Sequence, residues 1–331
     1  MNLEKYYLGI DVGSVSINLV LMDEDQRIKE KLYVRTEGKP ISILKKAMED
    51  ILRDRSNNVY ISGVGVTGSG RDLAAVMVGA DVVKNEITAH GVAVLSSIPQ
   101  ARTVIEIGGQ DSKIILIRNG VVSDFAMNTV CAAGTGSFLD RQAARLNIPI
   151  EEFGKISLRS KTPVRIAGRC AVFAESDMVH KQQMGCPPED IVRGLCEALT
   201  RNYLSNVGKG KEILPKVVFQ GGVAANQGIK AAFEETLGYE VIIPQHYDVM
   251  GAVGVAILAQ REVKANGRTL FRGMENIKQD FKARTFECTS CPNACEIIEF
   301  KAGDTILARW GDRCGKWAVK AGDKQRLRSL A

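Results

Sequence analysis

The chain shows the same rhythm of apolar and turn residues twice. Residues 6–22 run Tyr-Tyr-Leu-Gly-Ile-Asp-Val, turn through Gly13-Ser14-Val15-Ser16 and continue Ile-Asn-Leu-Val-Leu-Met. Two apolar runs joined by a glycine turn predict a β-hairpin. Residues 103–117 repeat the pattern as Thr-Val-Ile-Glu-Ile-Gly-Gly-Gln-Asp-Ser-Lys-Ile-Ile-Leu-Ile, and a shift of 95 positions sets Asp11 on Glu106, Gly13 on Gly108 and Leu19 on Ile114. Such an echo predicts two similar halves. Helical spacing marks Ile41–Leu52 and Arg71–Val78, with a short strand from Val59 to Val64 between them.

In the second half, helices are predicted near Ser137–Leu146, Phe173–Met184 and Ile191–Val207. A strand Lys216–Gln220 breaks at Gly221-Gly222 into a helix Asn226–Leu237, followed by a strand Glu240–Pro244 and an apolar helix Val249–Gln260. Strands interleaved with helices give the α/β class. Residues 263–283, charged and carrying two glycines, read as a linker, and the segment beyond them reads as a small module of its own with a hairpin at Ile297–Phe300 and Thr305–Trp310. The expected division is therefore 1–96, 97–262 and 263–331. At 331 residues the chain exceeds what one core usually supports.

Charge sharpens this division. Residues 261–331 hold 15 Lys and Arg against 9 Asp and Glu, which leaves residues 1–260 balanced at 29 against 29, so the C-terminal segment carries the whole net charge of +6. Its basic residues are scattered among acidic ones without interleaved aromatics, which argues against nucleic acid and for a solvated surface or an acidic partner. No apolar run is long enough to cross a bilayer, and the first residues carry no secretory pattern. A cytoplasmic protein is expected. In a reducing compartment its eight cysteines are metal ligands, redox groups or buried apolar residues rather than disulfides.

Glycine turns with small hydroxylated residues expose successive backbone N–H groups and can wrap phosphate oxygens. Gly13-Ser14-Val15-Ser16 and Gly108-Gly109-Gln110-Asp111 fit, with Asp11 and Asp111 as candidate Mg²⁺ holders through water. A third loop, Gly221-Gly222-Val223-Ala224-Ala225-Asn226, leads from strand to helix and could flank a nucleoside. Each alone is also an ordinary turn between strands. Val64–Arg71 reads either as a phosphate-sensing loop or as a plain connection.

Cys131 and Cys170 each stand just ahead of a predicted helix, where unpaired N–H groups and the helix dipole favour a thiolate. A four-iron cluster usually takes four thiolates, and two per chain complete the set by pairing two copies about a two-fold axis. The competing reading is two buried cysteines packing as small hydrophobes. Cys186 and Cys196 have no partner pattern and read as structural. Cys288, Cys291 and Cys295, followed by Cys314, offer four thiolates suited to Zn²⁺, to a second cluster, or to neither.

Ile10-Asp11-Val12-Gly13-Ser14, Ile107-Gly108-Gly109-Gln110-Asp111 and Gln220-Gly221-Gly222-Val223-Ala224 resemble the first phosphate, second phosphate and adenosine motifs of the actin, sugar kinase and Hsp70 superfamily. Within it, Cys131-Ala132-Ala133-Gly134-Thr135-Gly136 and Cys170-Ala171-Val172-Phe173-Ala174-Glu175-Ser176 resemble the activators (component A) of 2-hydroxyacyl-CoA dehydratases and the related benzoyl-CoA reductase ATPase subunits, over about residues 6–260. The resemblance implies two ribonuclease-H-like (actin-like ATPase) domains closing on MgATP. Asp11 and Asp111 would then be catalytic, and the nucleotide would lie against Gly13, Ser14, Val15, Ser16, Gly108, Gly109, Gln110, Gly221, Gly222, Val223 and Asn226.

It further implies a homodimer with one [4Fe–4S] cluster held by Cys131 and Cys170 of each subunit, driving an electron from ferredoxin or flavodoxin into a partner iron–sulfur enzyme. Asn18 stands where the family's first loop tends to carry lysine. The C-terminal segment resembles the extension of longer activase-like proteins, including those paired with double-cubane cluster reductases, so the acceptor is a dehydratase or such a reductase. Two other functions compete: a small-molecule kinase of the same superfamily, which needs a carboxylate base for a hydroxyl acceptor, and a nucleotide-sensing protein that docks a partner through its basic tail.

Overall fold

A computed structural model describes residues 4–53 and 59–318. The last residues of the basic tail, 319–331, lie outside the described residues. Numbered along the chain, the first elements are β1 (Glu4–Val12), β2 (Ser16–Met22), β3 (Ile28–Arg35), α1 (Pro40–Leu52), β4 (Val59–Thr67), α2 (Arg71–Val78) and β5 (Val82–Val83). They build a five-stranded sheet in the order β3-β2-β1-β4-β5. β1 pairs antiparallel with β2 and parallel with β4, as a hairpin followed by a helical crossover requires. The inner strands are continuous apolar runs because both sheet faces are covered: Leu8, Ile10, Leu19 and Val64 share a core with Leu44 and Met48 of α1 and Met77 of α2. The outer strand β3 is mostly exposed.

The second run comprises α3 (Glu86–Ser97), β6 (Thr103–Ile107), β7 (Ser112–Arg118), β8 (Val121–Asn128), α4 (Gly136–Leu146), α5 (Ile150–Ser157), α6 (Ala171–Gln183), α7 (Pro188–Asn206), β9 (Val217–Gln220), α8 (Gln227–Leu237), β10 (Val241–Ile242) and α9 (Met250–Asn266). Its sheet has the order β10-β9-β6-β7-β8, which is the first sheet's plan read from the other edge. Alternate residues of β6 and β7 enter different cores. Ile105, Ile107, Ile114 and Leu116 pack with Phe153, Leu195 and Phe233 of α5, α7 and α8. Val104, Ile115 and Ile117 pack with Ile87 and Val94 of α3.

Contacts divide the chain into two units. One takes Gly13 and the residues before it, Ile17–Lys84 and the chain from Val255 onward; the other takes Ser14–Ser16 and Asn85–Gly254. This differs from the expected boundaries near 96 and 262. α3 belongs with the second sheet, whose core its Ile87 and Val94 enter, and the later part of α9 packs on β4, where Gly65 leaves room for the Val255 carbonyl.

Residues 263–283 are not a free linker. α9 continues to Asn266, α10 (Met274–Ile277) follows, and the stretch is strapped to the first unit: Thr269 Oγ1 donates to Asp81 Oδ2 (2.8 Å), Arg272 N to the Val78 carbonyl (3.0 Å) and Asn276 Nδ2 to the Met77 carbonyl (3.0 Å). The C-terminal sheet has three strands, β11 (Phe281–Glu287), β12 (Glu296–Ala302) and β13 (Thr305–Trp310), in that order. Its Phe281, Phe300 and Ala308 enter the first unit's core, so the segment shares that core instead of forming a separate module.

No helix among the described residues is long and apolar enough to cross a membrane.

Candidate nucleotide and thiolate sites

Strand register lines up polar residues across each sheet at the ends of its strands. In the first unit, Asn18 of β2 pairs with Asp11 of β1, which pairs with Thr67 of β4. In the second, Lys113 of β7 pairs with Glu106 of β6, which pairs with Gln220 of β9. The shift of 95 positions that sets Asp11 on Glu106 also sets Asn18 on Lys113, so the lysine missing from the first hairpin is present in the second.

In the first unit, the loop after β4 folds onto the β1–β2 turn. Gly70 N donates to the Val12 carbonyl (2.8 Å), and Gly68, at φ +93°, has no room for a side chain because a Cβ would lie 2.6 Å from Asp11 Oδ1. Arg71 directs its guanidinium to the Gly68 carbonyl of its own loop (3.2 Å). Asn18 Oδ1 and Thr67 Oγ1 are buried and have no partner among the described residues. Unmatched buried oxygens flanking a carboxylate suit a hydrated cation, and of the two only the Thr67 hydroxyl can also donate to a phosphate oxygen.

In the second unit, Gly108 N donates to the Asp111 carbonyl (3.0 Å), closing the turn that carries Gly109 and exposed Gln110. The turn is sewn to the start of α4: Gly136 N donates to the Gly108 carbonyl (2.9 Å), while Ser137 N (2.8 Å) and Ser137 Oγ (2.6 Å) donate to the Gly109 carbonyl. Val15, which groups with this unit, packs on Gly109 so closely that a Cβ there would sit 2.8 Å from it. Gly221, at φ +88°, approaches the Ile107 carbonyl and the Glu106 carboxyl too closely for any side chain. Asn226 caps α8 by accepting from Ile229 N (3.1 Å), leaving its buried Nδ2 without a partner among the described residues. Gly222 is exposed beside buried Val223.

Sequence reasoning missed a buried ion cluster beside this loop. Lys113 Nζ, on a side chain 2 % exposed, lies 2.7 Å from Glu86, 2.9 Å from Glu106 and 2.8 Å from Asp111. Burial first, then the charges of Asp111 and Glu86 against the opposing pull of Lys113, pushes the Glu106 carboxyl up to about 7. The surrounding carboxylates hold Lys113 firmly charged despite its own burial. On α3, buried His90 meets Gln220 through Nδ1 (2.8 Å), and burial pushes its imidazole down to about 3, so it is neutral. The internal repeat was the signal that could have found Lys113, because it marks the residue equivalent to Asn18.

The two cysteine segments are brought together. Cys131 and Cys170 are both half-buried, Cys131 before a short turn Ala132–Gly134 and Cys170 at the start of α6. Asn128 fixes the first segment, its Oδ1 accepting from Cys131 N (2.9 Å) and its Nδ2 donating to the Cys131 carbonyl (2.8 Å). The second is held by Arg201 Nη2 on the Ile166 carbonyl (2.7 Å) and by Ala167 N on Asp177 Oδ2 (2.8 Å). Cys131 Sγ lies 3.9 Å from the Arg169 carbonyl. Glu175 of α6 accepts from Arg141 (2.9 Å) and Arg145 (2.7 Å) of α4, tying together the helices that follow the two thiols. Beside them in sequence Val130 (95 %), Val172 (69 %) and Phe173 (66 %) stand exposed, apolar side chains of the kind that mark an interaction site when they cluster.

The C-terminal thiols share one end of their sheet without meeting. Cys288 follows β11, Cys295 precedes β12 and Cys314 follows β13. The backbone closes from Cys288 N to the Cys295 carbonyl (2.8 Å). Buried Cys288 accepts from Trp317 Nε1 (3.2 Å), whereas Cys291 and Cys314 are exposed and Cys314 points to Asp312 (3.7 Å). Among the described residues no three His, Cys, Asp or Glu side chains converge as a metal site. Cys196 is a core residue, its thiol pushed up to about 12 by burial.

Comparisons with known proteins agree with this layout. The model of the BadF/BadG/BcrA/BcrD ATPase family matches residues 8–259. The chain is 32 % identical over 261 residues to the (R)-2-hydroxyglutaryl-CoA dehydratase activating ATPase of Acidaminococcus fermentans, covering 78 % of this chain and 98 % of that protein. It is 34 % identical over 278 residues to the 2-hydroxyisocaproyl-CoA dehydratase activator of Clostridioides difficile, covering 78 % and 96 %. The solved structure of the Clostridium difficile activator with bound ADPNP superposes with a TM-score of 0.72 at 32 % identity, covering 79 % of this chain and 97 % of the other. With two halves of one sheet plan, glycine loops at matching strand ends and a family match spanning both, the chain belongs to the BadF/BadG/BcrA/BcrD ATPase family, and its enzymatic activity is that of an ATPase.

Proposed function

We propose that this ATPase is the activator of a partner iron–sulfur enzyme: two copies hold one [4Fe–4S] cluster through Cys131 and Cys170 of each, and ATP hydrolysis drives an electron from it into a 2-hydroxyacyl-CoA dehydratase or a double-cubane cluster reductase. The observation that carries the reading is the meeting of the two cysteine segments, each flanked in sequence by exposed apolar side chains. Two thiols per chain cannot complete a cluster alone, and a second copy seated on Val130, Val172 and Phe173 would supply the other two and cover those side chains. The named activities of the relatives support the same assignment.

Within the chain, Gly13, Ser14, Val15, Ser16, Gly108, Gly109 and Gln110 would wrap phosphate with backbone N–H groups, and Gly221, Gly222, Val223 and Asn226 would flank the nucleoside. Asp11 and Asp111 would hold Mg²⁺ through water, Asp111 being oriented by Lys113. When bound, the cluster supplies a one-electron carrier of low potential, fed by ferredoxin or flavodoxin. Asn128, Arg201 and Asp177 fix the backbone that carries the two sulfurs.

Oxygen-free purification tests the reading. Four iron and four sulfide per two chains are expected, with their loss in Cys131→Ser and in Cys170→Ser. Iron-free dimers, or iron retained in both variants, would defeat the cluster assignment, and turnover that depends on a sugar would favour the kinase.

A further inference from the structure

α7 carries an asparagine where its spacing calls for an apolar residue. Ile191, Leu195, Ala198 and Leu199 line the buried face, and Asn202 continues it at 1 % exposure. A primary amide in such a place needs partners for two N–H groups and a carbonyl. Asn202 Nδ2 donates to the Gly168 carbonyl (2.6 Å) and reaches Cys131 Sγ (3.8 Å), while its Oδ1 accepts from Asn206 Nδ2 (2.9 Å). The orientation is determined by chemistry. Turned over, the amide would set its oxygen against the Gly168 oxygen, a repulsion in place of a hydrogen bond that no turn of exposed Asn206 could relieve. The donor side of Asn202 therefore faces the sulfur.

The same amide explains a glycine. A Cβ at Gly134 would lie 2.7 Å from Asn202 Oδ1, so the third residue after Cys131 stays bare to let the amide in. One buried side chain thus touches both cysteine segments, the carbonyl two residues before Cys170 and the sulfur of Cys131.

We infer that Asn202 is a positioning residue for the thiolate pair, donating an N–H···S hydrogen bond that sets the separation of the two cysteine segments and tunes the potential of the metal centre they hold. This rests on the cluster assignment made above. N–H groups directed at a ligating sulfur stabilise the more negative, reduced state, so taking the donor away shifts the potential downward.

Asn202→Leu keeps the branching of the side chain and removes both donors. In full-length anaerobic protein, an electron paramagnetic resonance titration should then show a midpoint lower by about a tenfold change in the oxidised-to-reduced ratio, roughly 59 mV for one electron. Asn206→Leu, at an exposed position, loosens the amide without deleting it and should shift the midpoint less, in the same direction. If Asn202→Leu does not fold, the Asn206→Leu result decides. Iron bound normally with an unchanged midpoint in the folded variants would overturn the inference and leave the activator assignment standing. Should the native protein contain no iron, the assignment fails, and the role of Asn202 is read on the bare sulfur. Alkylation of Cys131 relative to Cys170 should then slow severalfold in Asn202→Leu, or in Asn206→Leu if the former does not fold, and equal relative rates would overturn it.

Discussion

Replacing Lys113 by methionine keeps the length and apolar stem of the side chain and deletes a buried charge that three carboxylates share at 2.7–2.9 Å. Breaking a buried ion pair by removing one partner costs about 3–5 kcal/mol, because the remaining charge is left uncompensated. For a unit of this size that corresponds to a loss of roughly 6–20 °C in Tm. The cost depends on pH with a definite sign. Glu106 is pushed up to about 7 from an ordinary 4.5, so the folded chain keeps a proton that the unfolded chain has already released. Its contribution to stability is therefore greatest below 4.5 and is lost as pH rises through 7, by about 3 kcal/mol for a shift of this size.

Glu106→Gln abolishes that slope, and Lys113→Met should cost markedly less in the Gln background than in the native one. Native-state hydrogen exchange of the β6 and β7 amides at pH 8, with EDTA present to exclude adventitious cations, isolates the second unit from the rest of the chain. A cost below about 1 kcal/mol for Lys113→Met, or equal costs in the two backgrounds to within about 0.5 kcal/mol, would refute the shared-charge account.

Ser137→Ala removes the Oγ donor to the Gly109 carbonyl, a hydrogen bond of about 1 kcal/mol, and should lower kcat/KM for MgATP about fivefold; steady-state ATPase kinetics check it, and an unchanged ratio would uncouple the loop from α4. In metal-free protein, timed alkylation followed by mass spectrometry should find exposed Cys291 and Cys314 modified first and Cys196 last. Joint protection of Cys288, Cys291, Cys295 and Cys314 in protein as purified would show that they do converge on a metal.

Several strands and helices that bury a clear face were legible from periodicity, although α3 and α5, which also bury one, were not read. α2 begins and ends where its spacing predicts, and the two hairpins announced both sheets. β3 and β8 were not legible, because as outer strands with largely exposed residues they lack a buried face. β11 was not read, its start falling in the apparent linker, for the same reason: only Phe281 at its start is buried, and the alternation that marks a half-buried strand is absent. Charged stretches also concealed the strap 269–276, whose attachment runs through side-chain and backbone hydrogen bonds rather than apolar contacts. At the sites, glycines and cysteines stood out by type, whereas Lys113 and Asn202 did not. A polar residue inside an apolar run carries no local mark of its partners, which for Lys113 include Glu86 of α3 and for Asn202 the Cys131 and Gly168 segments, all on other elements of the chain.

The bonding inside the second unit also bears on how nucleotide state could reach the thiols. The turn at Gly108 and Gly109 meets the start of α4 through three hydrogen bonds, from Gly136 N, Ser137 N and Ser137 Oγ, and the Cys131 segment is the chain that leads into that helix. At about 1 kcal/mol each, separating the turn from the helix would cost about 3 kcal/mol. That is comparable to the whole coupling free energy between typical allosteric sites. The turn and the helix start therefore move together more cheaply than apart. Glu175 extends the linkage, since Arg141 and Arg145 of α4 both bind this one carboxylate of α6, whose first turn follows Cys170. Those two ion pairs are partly exposed and contribute little each, so the stiff part of the path is the stretch from Gly109 to Cys131, and the Cys170 side follows through Asn202. A displacement of the Gly108–Gly109 turn is on this account felt first at Cys131, the sulfur that carries the amide hydrogen bond.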